Sequence, residues 1–412
     1  MATQAEAILS WLDSREEEMA ALLLELVRAE SPSGALGSER KALGLLAEEL
    51  HAAGYLTRLV HGHGCGDHLY ARPRARDRWA PRQLVVGHVD TVWPLGSVRR
   101  MPPRIENGRL YGPGAYDTKG GLVQLVFALR ALAQLGTFPT VTPVVFVNAD
   151  EETGSADSLR WLRRLACGAD RALVLEPPEG SDGRLKTGRK AVGSFRVTIL
   201  GRPAHAGSSP QAGISAILEL AHQVEHLFAL NDPDRGITVN VGTIDGGLRP
   251  NVVAPEAGAV VDVRAPTAAA SHKVEEAIRS LRPTRPGVAL HVTGSFDRPP
   301  MLKTDRNRAL AHRACILARA IGFTLMEAPI AGGGSDANFT SELTATLDGL
   351  GALGMGAHAL DEHVVLRALP QRAALLALLL LEPAGIGTIG SSRPQASGRG
   401  RTSRSHRRAV RA

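Results

Sequence analysis

The sequence predicts an α/β fold, an open sheet flanked by helices, interrupted by a compact α+β insert. Three observations carry this expectation. Short apolar runs, Gln83 to Gly87, Val144 to Val147 and Ala172 to Leu175, are each followed within a residue or two by a charged or imidazole side chain, as buried strands ending at a polar site would be. Segments with helical spacing alternate with these runs, which favours one layered sheet whose site lies beyond the carboxyl ends of its strands. From about Arg189 the texture changes, and the first kind of helical periodicity returns only at Asn307.

In chain order, Ser10 with Asp13 resembles a capping box, and Met19, Leu22, Leu23, Leu26 and Val27 repeat at helical spacing. Leu43, Leu46, Ala47 and Leu50 mark a second helix, and Gly121 to Leu132 another between strands. The insert reads as a strand (Ser194 to Leu200), a helix (Ile214 to Phe228), strands near Ile237 to Val241 and Ala259 to Val263, a second helix and a final strand. Asn307 to Ile321 and the aliphatic run Ala373 to Leu381 then complete the first unit. That run is shorter than the roughly 20 residues a membrane helix needs, so it is expected to be a buried helix. The expected organisation is a first domain beginning with 1–188, an insert over 189–301, the second part of the first domain over 302–383, and a tail over 384–412. The tail is rich in Ser, Gly, Arg and Pro and is expected to be disordered.

A chain of 412 residues with 44% hydrophobic side chains exceeds the size of a single core, which favours two domains. The net charge of +7 sits in the tail, which holds seven Arg and no acid. A neutral body lacks the broad basic face that tracks phosphates, so no specific nucleic-acid partner is expected. Met1 to Glu18 is acidic and helical in pattern, without the cationic and apolar segments of a secretory signal, and no membrane segment is expected. Cys65, Cys167 and Cys315 are scattered and odd in number, consistent with free thiols and a cytoplasmic location.

The chemistry gathers at the ends of the apolar runs. Leu84 to Gly87 delivers His88 and then Asp90; an imidazole can ligate a metal while a nearby carboxylate accepts its other N–H. The second run ends in Asp150-Glu151-Glu152 and the third in Glu176. Adjacent carboxylates at a buried strand end repel one another unless a cation lies between them. A two-metal site needs one bridging carboxylate and one that is free to accept a proton from water. Asp117, on the Gly-rich turn Gly112 to Gly121, is the bridging candidate, and adjacent glutamates pointing in alternate directions suit two roles.

His88-Val89-Asp90-Thr91-Val92, the Gly112-Pro113-Gly114…Asp117-x-Lys119-Gly120-Gly121 segment and Asp150-Glu151-Glu152-Thr153-Gly154 together resemble the di-zinc exopeptidase family of glutamate carboxypeptidase, acetylornithine deacetylase and succinyl-diaminopimelate desuccinylase. The likeness runs from about residue 20 to 383 and is nearest the glutamate carboxypeptidase branch. It implies an open mixed catalytic sheet and a ferredoxin-like dimerisation domain, hence a homodimer formed through residues 189–301. It implies two Zn²⁺ per subunit, with Co²⁺ or Mn²⁺ as substitutes: His88 and Glu176 complete one site, Glu152 and His358 the other, and Asp117 bridges. His358 fits the family's His-x-x-x-Glu pattern, and His363 is expected to pack. Asp90 would orient His88, and Glu151 would be the general base. His205, in Gly201 to Gly207, would reach the neighbouring subunit's site and stabilise the oxyanion.

For substrate, the resemblance points to Asn251 and Arg264, and to the Gly332-Gly333-Gly334-Ser335-Asp336 loop, whose amides suit a carboxylate. Arg offers a carboxylate a bidentate fork, although Arg264 has a salt bridge with Asp262 as its alternative. Arg184, near Lys186, and Arg298 are candidate contacts for an acidic substrate side chain. The implied reaction is hydrolysis of an amide or peptide bond next to a C-terminal carboxylate of a small molecule or short peptide. N-acyl-amino-acid deacylation, dipeptide hydrolysis and non-catalytic metal or peptide binding are the alternatives. The His61 to His68 tract, with three His and Cys65, is read as a surface turn, because zinc sites need ligands on firm elements.

Overall fold

The computed structural model describes residues 2–386. Six strands form a mixed sheet in the order Tyr55–His61, Asp67–Pro73, Thr142–Asn148, Arg82–His88, Ala169–Val174 and Ala345–Leu347. The first two pairings are antiparallel and the other three parallel. Side chains alternate across each strand, so the apolar runs bury both faces. Val85, Val145 and Leu173 face one core, built with the helices Glu16–Arg28, Arg40–Ala52, Gly120–Gln134 and Leu369–Leu381. Leu84, Val86, Val144, Phe146 and Ala172 face a second core with Leu162, Ala166 and Phe339. The parallel strands therefore end together at one edge, presenting His88, the Asp150 to Glu152 segment and Glu176 side by side.

The Gly120–Gln134 helix crosses close to that edge. A Cβ on Gly121 would lie 2.5 Å from the Leu175 carbonyl oxygen, so only glycine lets this helix start against the strand that leads to Glu176. Leu369–Leu381 is buried almost all round, as expected of the aliphatic run. Among the described residues no helix is long and apolar enough to cross a membrane.

The insert is an antiparallel sheet in the order Ala289–Arg298, Ala191–Leu200, Glu256–Ala265, Thr238–Gly246. Ala191–Leu200 alternates buried and accessible residues because one face packs on the helices Ala216–Phe228 and Ala268–Arg279 through Phe195, Val197, Ile199, Leu220 and Ile278. The fold is thus an α/β sheet with an inserted α+β unit.

Three features depart from the sequence reading. Ser10 lies inside the helix Ala2–Asp13 and caps nothing; the chain breaks at Ser14, and the next helix starts at Glu16 behind Arg15. The hairpin of Tyr55–His61 with Asp67–Pro73 adds an antiparallel edge to the sheet. A small sheet of Gly354–Met355, His363–Val365, Arg109–Tyr111 and Arg104–Glu106 ties the His358 loop to the turn that carries Asp117. The tail expected to be disordered lies outside the described residues from 387 onward.

Candidate metal centre and active site

Two clusters of potential ligands share one carboxylate: His88, Asp117 and Glu176 form one, and Asp117, Glu152 and His358 the other, with donor atoms inside each within 4.8 Å of one another. His88 Nε2 lies 3.3 Å from Asp117 Oδ1 and 3.4 Å from Glu176 Oε1. His358 Nε2 lies 3.5 Å from Asp117 Oδ2 and 3.2 Å from Glu152 Oε1. All five residues singled out in the sequence as ligands meet, and Asp117 offers one oxygen to each imidazole.

The charges on these groups show what the clusters suit. Burial opposes charge on His88, but Asp117, Asp90 and Glu176 lift its pKa well above the ordinary imidazole value. Asp117 and Glu152 lift His358 to about 10. Burial would raise Asp117, yet hydrogen bonds with His358 and His88 hold it below the usual carboxylate range. Burial and the Asp117 charge raise Glu176. Each imidazole thus lies in a negative potential that a dication would satisfy better than a proton. Nitrogen and carboxylate oxygen donors, three to a cluster with one shared, fit a pair of zinc-like ions.

The surroundings fix the donors. His88 Nδ1 lies 3.0 Å from the Asp90 carbonyl oxygen and 3.4 Å from the Asp90 carboxylate, so both hold the ring. Asp90 also accepts the Glu151 N–H at Oδ1 and the Glu152 N–H at Oδ2, both at 3.2 Å, and the Ser33 hydroxyl at 2.7 Å. Glu362 was not singled out in the sequence, although it is the Glu of the His-x-x-x-Glu pattern. It accepts the N–H groups of Gly114, Tyr116 and Asp117 at 2.9, 3.0 and 3.1 Å and so pins the bridging turn. His363 packs on Tyr111, with ring centroids 5.0 Å apart, as expected.

Glu151 belongs to neither cluster and lines the cleft beside them. Its Oε1 lies 2.9 Å from Arg298 Nη2. Burial raises its carboxyl well above the ordinary range, against the pull of Arg298 and with a push from Glu176. The two glutamates diverge because Glu151–Thr153 is one turn of 3₁₀ helix; strand alternation, the expectation from sequence, is not the cause.

A cleft of about 790 Å³ joins these groups and is lined by Glu151, Glu176, Lys186, Arg189, Arg264 and Gly333, among others. Arg264 is spent on Asp262, with Nε and Nη2 donating to its two oxygens at 2.8 and 2.7 Å, which is the alternative left open by the sequence. Arg184 pairs with Asp182 at 2.9 Å and does not line the cleft. Arg298 lines it but is buried and bonded to protein groups, which contradicts its expected role as a free substrate contact.

Arg189 is the cation that sequence reading passed over. It is buried; Nε donates to Asp348 Oδ2 at 2.6 Å and Nη1 to the carbonyls of Gly333 and Gly334 at 2.9 and 3.1 Å. Its Nη2 has no hydrogen-bond partner and lies 3.9 Å from Glu176 Oε2. Its only sequence signal was its place at the boundary of the insert. Asp336, by contrast, turns inward and accepts from Ser155 Oγ at 2.5 Å and Asn148 Nδ2 at 2.8 Å.

His205 and Asn251 are exposed neighbours on the insert, joined by the Ala206 N–H to the Asn251 carbonyl at 3.0 Å, and neither lines the cleft. The N–H groups of Gly207 and Ser208 both donate to His205 Nδ1 at 3.1 Å. The neutral ring therefore carries its proton on Nε2, which makes Nε2 a donor.

Cys65, His68 and Asp150 form a third group of close donor atoms. The Ala149 N–H donates to His68 Nδ1 at 3.2 Å, so the neutral ring holds its proton on Nε2, the atom facing Cys65 Sγ at 3.9 Å. A cation would need that lone pair. Cys65 Sγ instead lies 3.4 Å from Asp157, which also accepts the His63 and Gly64 N–H groups; only 62–66 is a turn, and the reading of the whole tract as a surface turn is corrected by His61 and the buried His68, which lie on the flanking strands.

A model of the peptidase family M20/M25/M40 matches residues 84–382. The chain belongs to that family. It is therefore a metallohydrolase of the peptidase and amidase type, with an insert like the family's dimerisation domain. Carboxypeptidase G2 of Pseudomonas sp. (strain RS-16) is 28% identical over 368 residues, covering 87% of this chain and 88% of the relative. Succinyl-diaminopimelate desuccinylase of Rhodospirillum centenum is 27% identical over 339 residues, 76% of this chain and 83% of its own. A tripeptidase structure from Staphylococcus aureus subsp. aureus Mu50 has a TM-score of 0.71 at 22% identity, covering 89% of this chain and 98% of its own. An M20 family metallo-carboxypeptidase from Sulfolobus solfataricus has 0.71 at 17%, covering 89% and 100%. At these identities the two structures show the shared fold.

Proposed function

We propose that this protein is a co-catalytic di-zinc hydrolase that cleaves an amide or peptide bond next to a substrate's C-terminal carboxylate. The observation that carries the proposal is the pair of ligand clusters sharing Asp117, with Glu151 beside them and not part of either. His88, Asp117, Glu152, Glu176 and His358 would hold two Zn²⁺, or Co²⁺ or Mn²⁺, and the bound ions would supply Lewis acidity and ease deprotonation of water. Glu151 takes the proton of the attacking water and returns it to the leaving amine. Arg189 Nη2 and the Gly332 to Gly334 amides, which find no acceptor among the described residues, suit the substrate carboxylate. His205 donates from Nε2 to the carbonyl oxygen as charge develops there, and it comes from the partner subunit of a homodimer formed through the insert. The scattered free thiols support a reducing, cytoplasmic setting.

Similarity to carboxypeptidase G2 supports a glutamate-type preference. A second reading, N-acyl-amino-acid deacylase or dipeptidase, draws on the cleft itself: Arg184 pairs with Asp182 and does not line it, and Arg264 pairs with Asp262, so neither is free for an acidic side chain. A panel of folate-like, N-acyl-amino-acid and dipeptide substrates, with and without chelator, tests the function. Chelator-sensitive release of C-terminal glutamate is expected, whereas neutral residues released faster than glutamate would favour the second reading. Turnover indifferent to chelator would overturn both.

About two ions per chain are expected by elemental analysis. Metal uptake is also expected to release protons and to weaken as pH falls. His88 is raised well above its ordinary value and His358 to about 10, so each ring favours its protonated form and gives up that proton on becoming a ligand. Calorimetric titration in buffers of different ionisation enthalpy reads this directly. Uptake at pH 7 without proton release would show that neither ring holds a proton before the metal binds.

A further inference from the structure

Arg298 is the last residue of the insert's strand Ala289–Arg298. The register with Ala191–Leu200 slips there: Phe296 opposes Gly193, Arg298 opposes Val192, and Asp297 is the extra residue. One extra residue reverses side-chain alternation, so Arg298 leaves the face on which Phe296 packs and turns toward the catalytic sheet. Its path needs a glycine in the facing loop. A Cβ on Gly334 would stand 2.8 Å from Arg298 Cδ and 2.9 Å from Val192 Cγ2.

The guanidinium ends between two segments, 151–155 and 336–339. Nη2 donates to the Glu151 carbonyl at 2.6 Å and to Ser155 Oγ at 3.2 Å and forms an ion pair with Glu151 Oε1 at 2.9 Å, while Nη1 lies 3.4 Å from Asp336 Oδ1. The plane lies over Phe339, 5.3 Å from the ring centroid. Arg298 therefore grips both the backbone and one carboxylate oxygen of Glu151. Among the described residues that ion pair is the carboxylate's one charged contact and no hydrogen bond falls on it, which leaves Oε2 open.

We propose that Arg298 is a positioning residue for Glu151, holding Oε1 and the carbonyl so that Oε2 is presented to the water, and that the seating of the insert thereby sets the geometry of the base. This rests on the reading of Glu151 as general base. The proton passes from water to Oε2 and then to the departing nitrogen, and Arg298 exchanges none.

The test compares Arg298→Ala, Arg298→Lys and Glu151→Gln in the metal-loaded full chain, with elemental analysis and thermal unfolding alongside kinetics. Arg298→Ala is expected to lower kcat by roughly 10–100-fold with KM within about threefold and metal content unchanged. Millimolar guanidinium or ethylguanidinium should restore part of that kcat. Arg298→Lys keeps the charge but not the fork, and should fall between; its kcat decides the matter if the Ala variant does not fold. A loss confined to KM would make Arg298 a substrate contact and overturn the proposal. So would wild-type kcat in Arg298→Lys, or a lowered kcat in Arg298→Ala that guanidinium does not rescue. If Glu151→Gln is fully active, the base assignment itself fails; if it is inactive while Arg298→Lys is normal, only the positioning role fails.

Discussion

Glu151→Gln is expected to lower kcat by roughly 10²–10⁴-fold while metal content and substrate binding stay near those of the parent. Glu151 and Glu152 have their N–H groups fixed by the two oxygens of Asp90, so neither backbone depends on the other's side chain. From that shared base Glu152 runs to His358 and Glu151 to Arg298. Glutamine keeps the bond to Arg298 through its amide oxygen but cannot take up a proton. Glu152→Gln should instead lose metal along with activity, because it removes a charged donor from the Asp117–His358 cluster. The two variants, compared by elemental analysis and steady-state kinetics, separate the roles. Normal turnover by Glu151→Gln with metal fully bound would refute the mechanism. The alternatives are poorly placed to replace it: Asp90 is committed to two N–H groups and Ser33, and Asp150 Oδ2 to the N–H groups of Asp157 and Ser158.

The centre was legible in the sequence because its ligands follow features that survive without coordinates. His88 and Glu176 sit just past apolar runs buried on both faces, and Asp117 comes just before the glycines that the helix start requires. The Tyr55–His61 hairpin was not legible, since that edge strand exposes Thr57, Arg58 and Leu59 to differing degrees and has no continuous apolar run. Cations were harder still. A guanidinium has the same composition whether it awaits substrate or pairs with an acid, and the choice depends on register. Arg264 meets Asp262 two residues away on the same strand face, a pairing visible in the sequence as an alternative. Arg298 meets Glu151 only because of the slip at Asp297, which leaves no mark in composition. Arg189 went unseen for a related reason: its partners Asp348, Gly333 and Gly334 lie about 150 residues downstream, and only the closed fold makes it a buried donor facing a cleft.

His205→Ala is expected to lower kcat by about 10²–10³-fold, the range found when an oxyanion donor is removed, with metal content unchanged. His205 is exposed on the insert and absent from the lining of its own chain's cleft, yet two backbone amides fix its tautomer so that Nε2 presents a proton. Such fixing is of little use to a solvated surface ring and suits a donor that serves another subunit. If so, His205→Ala and Glu151→Gln dimers should each be nearly inactive, while a mixed dimer holds one complete site, with Glu151 from one subunit and His205 from the other. An equal mixture after exchange should recover about a quarter of parental activity, since half the dimers are mixed and half their sites complete. Exchange is established first with differently tagged subunits. Mixed dimers that form but recover nothing would return His205 to its own subunit, because then neither site of a mixed dimer is complete, whereas full activity of His205→Ala by itself would leave the ring with the solvent.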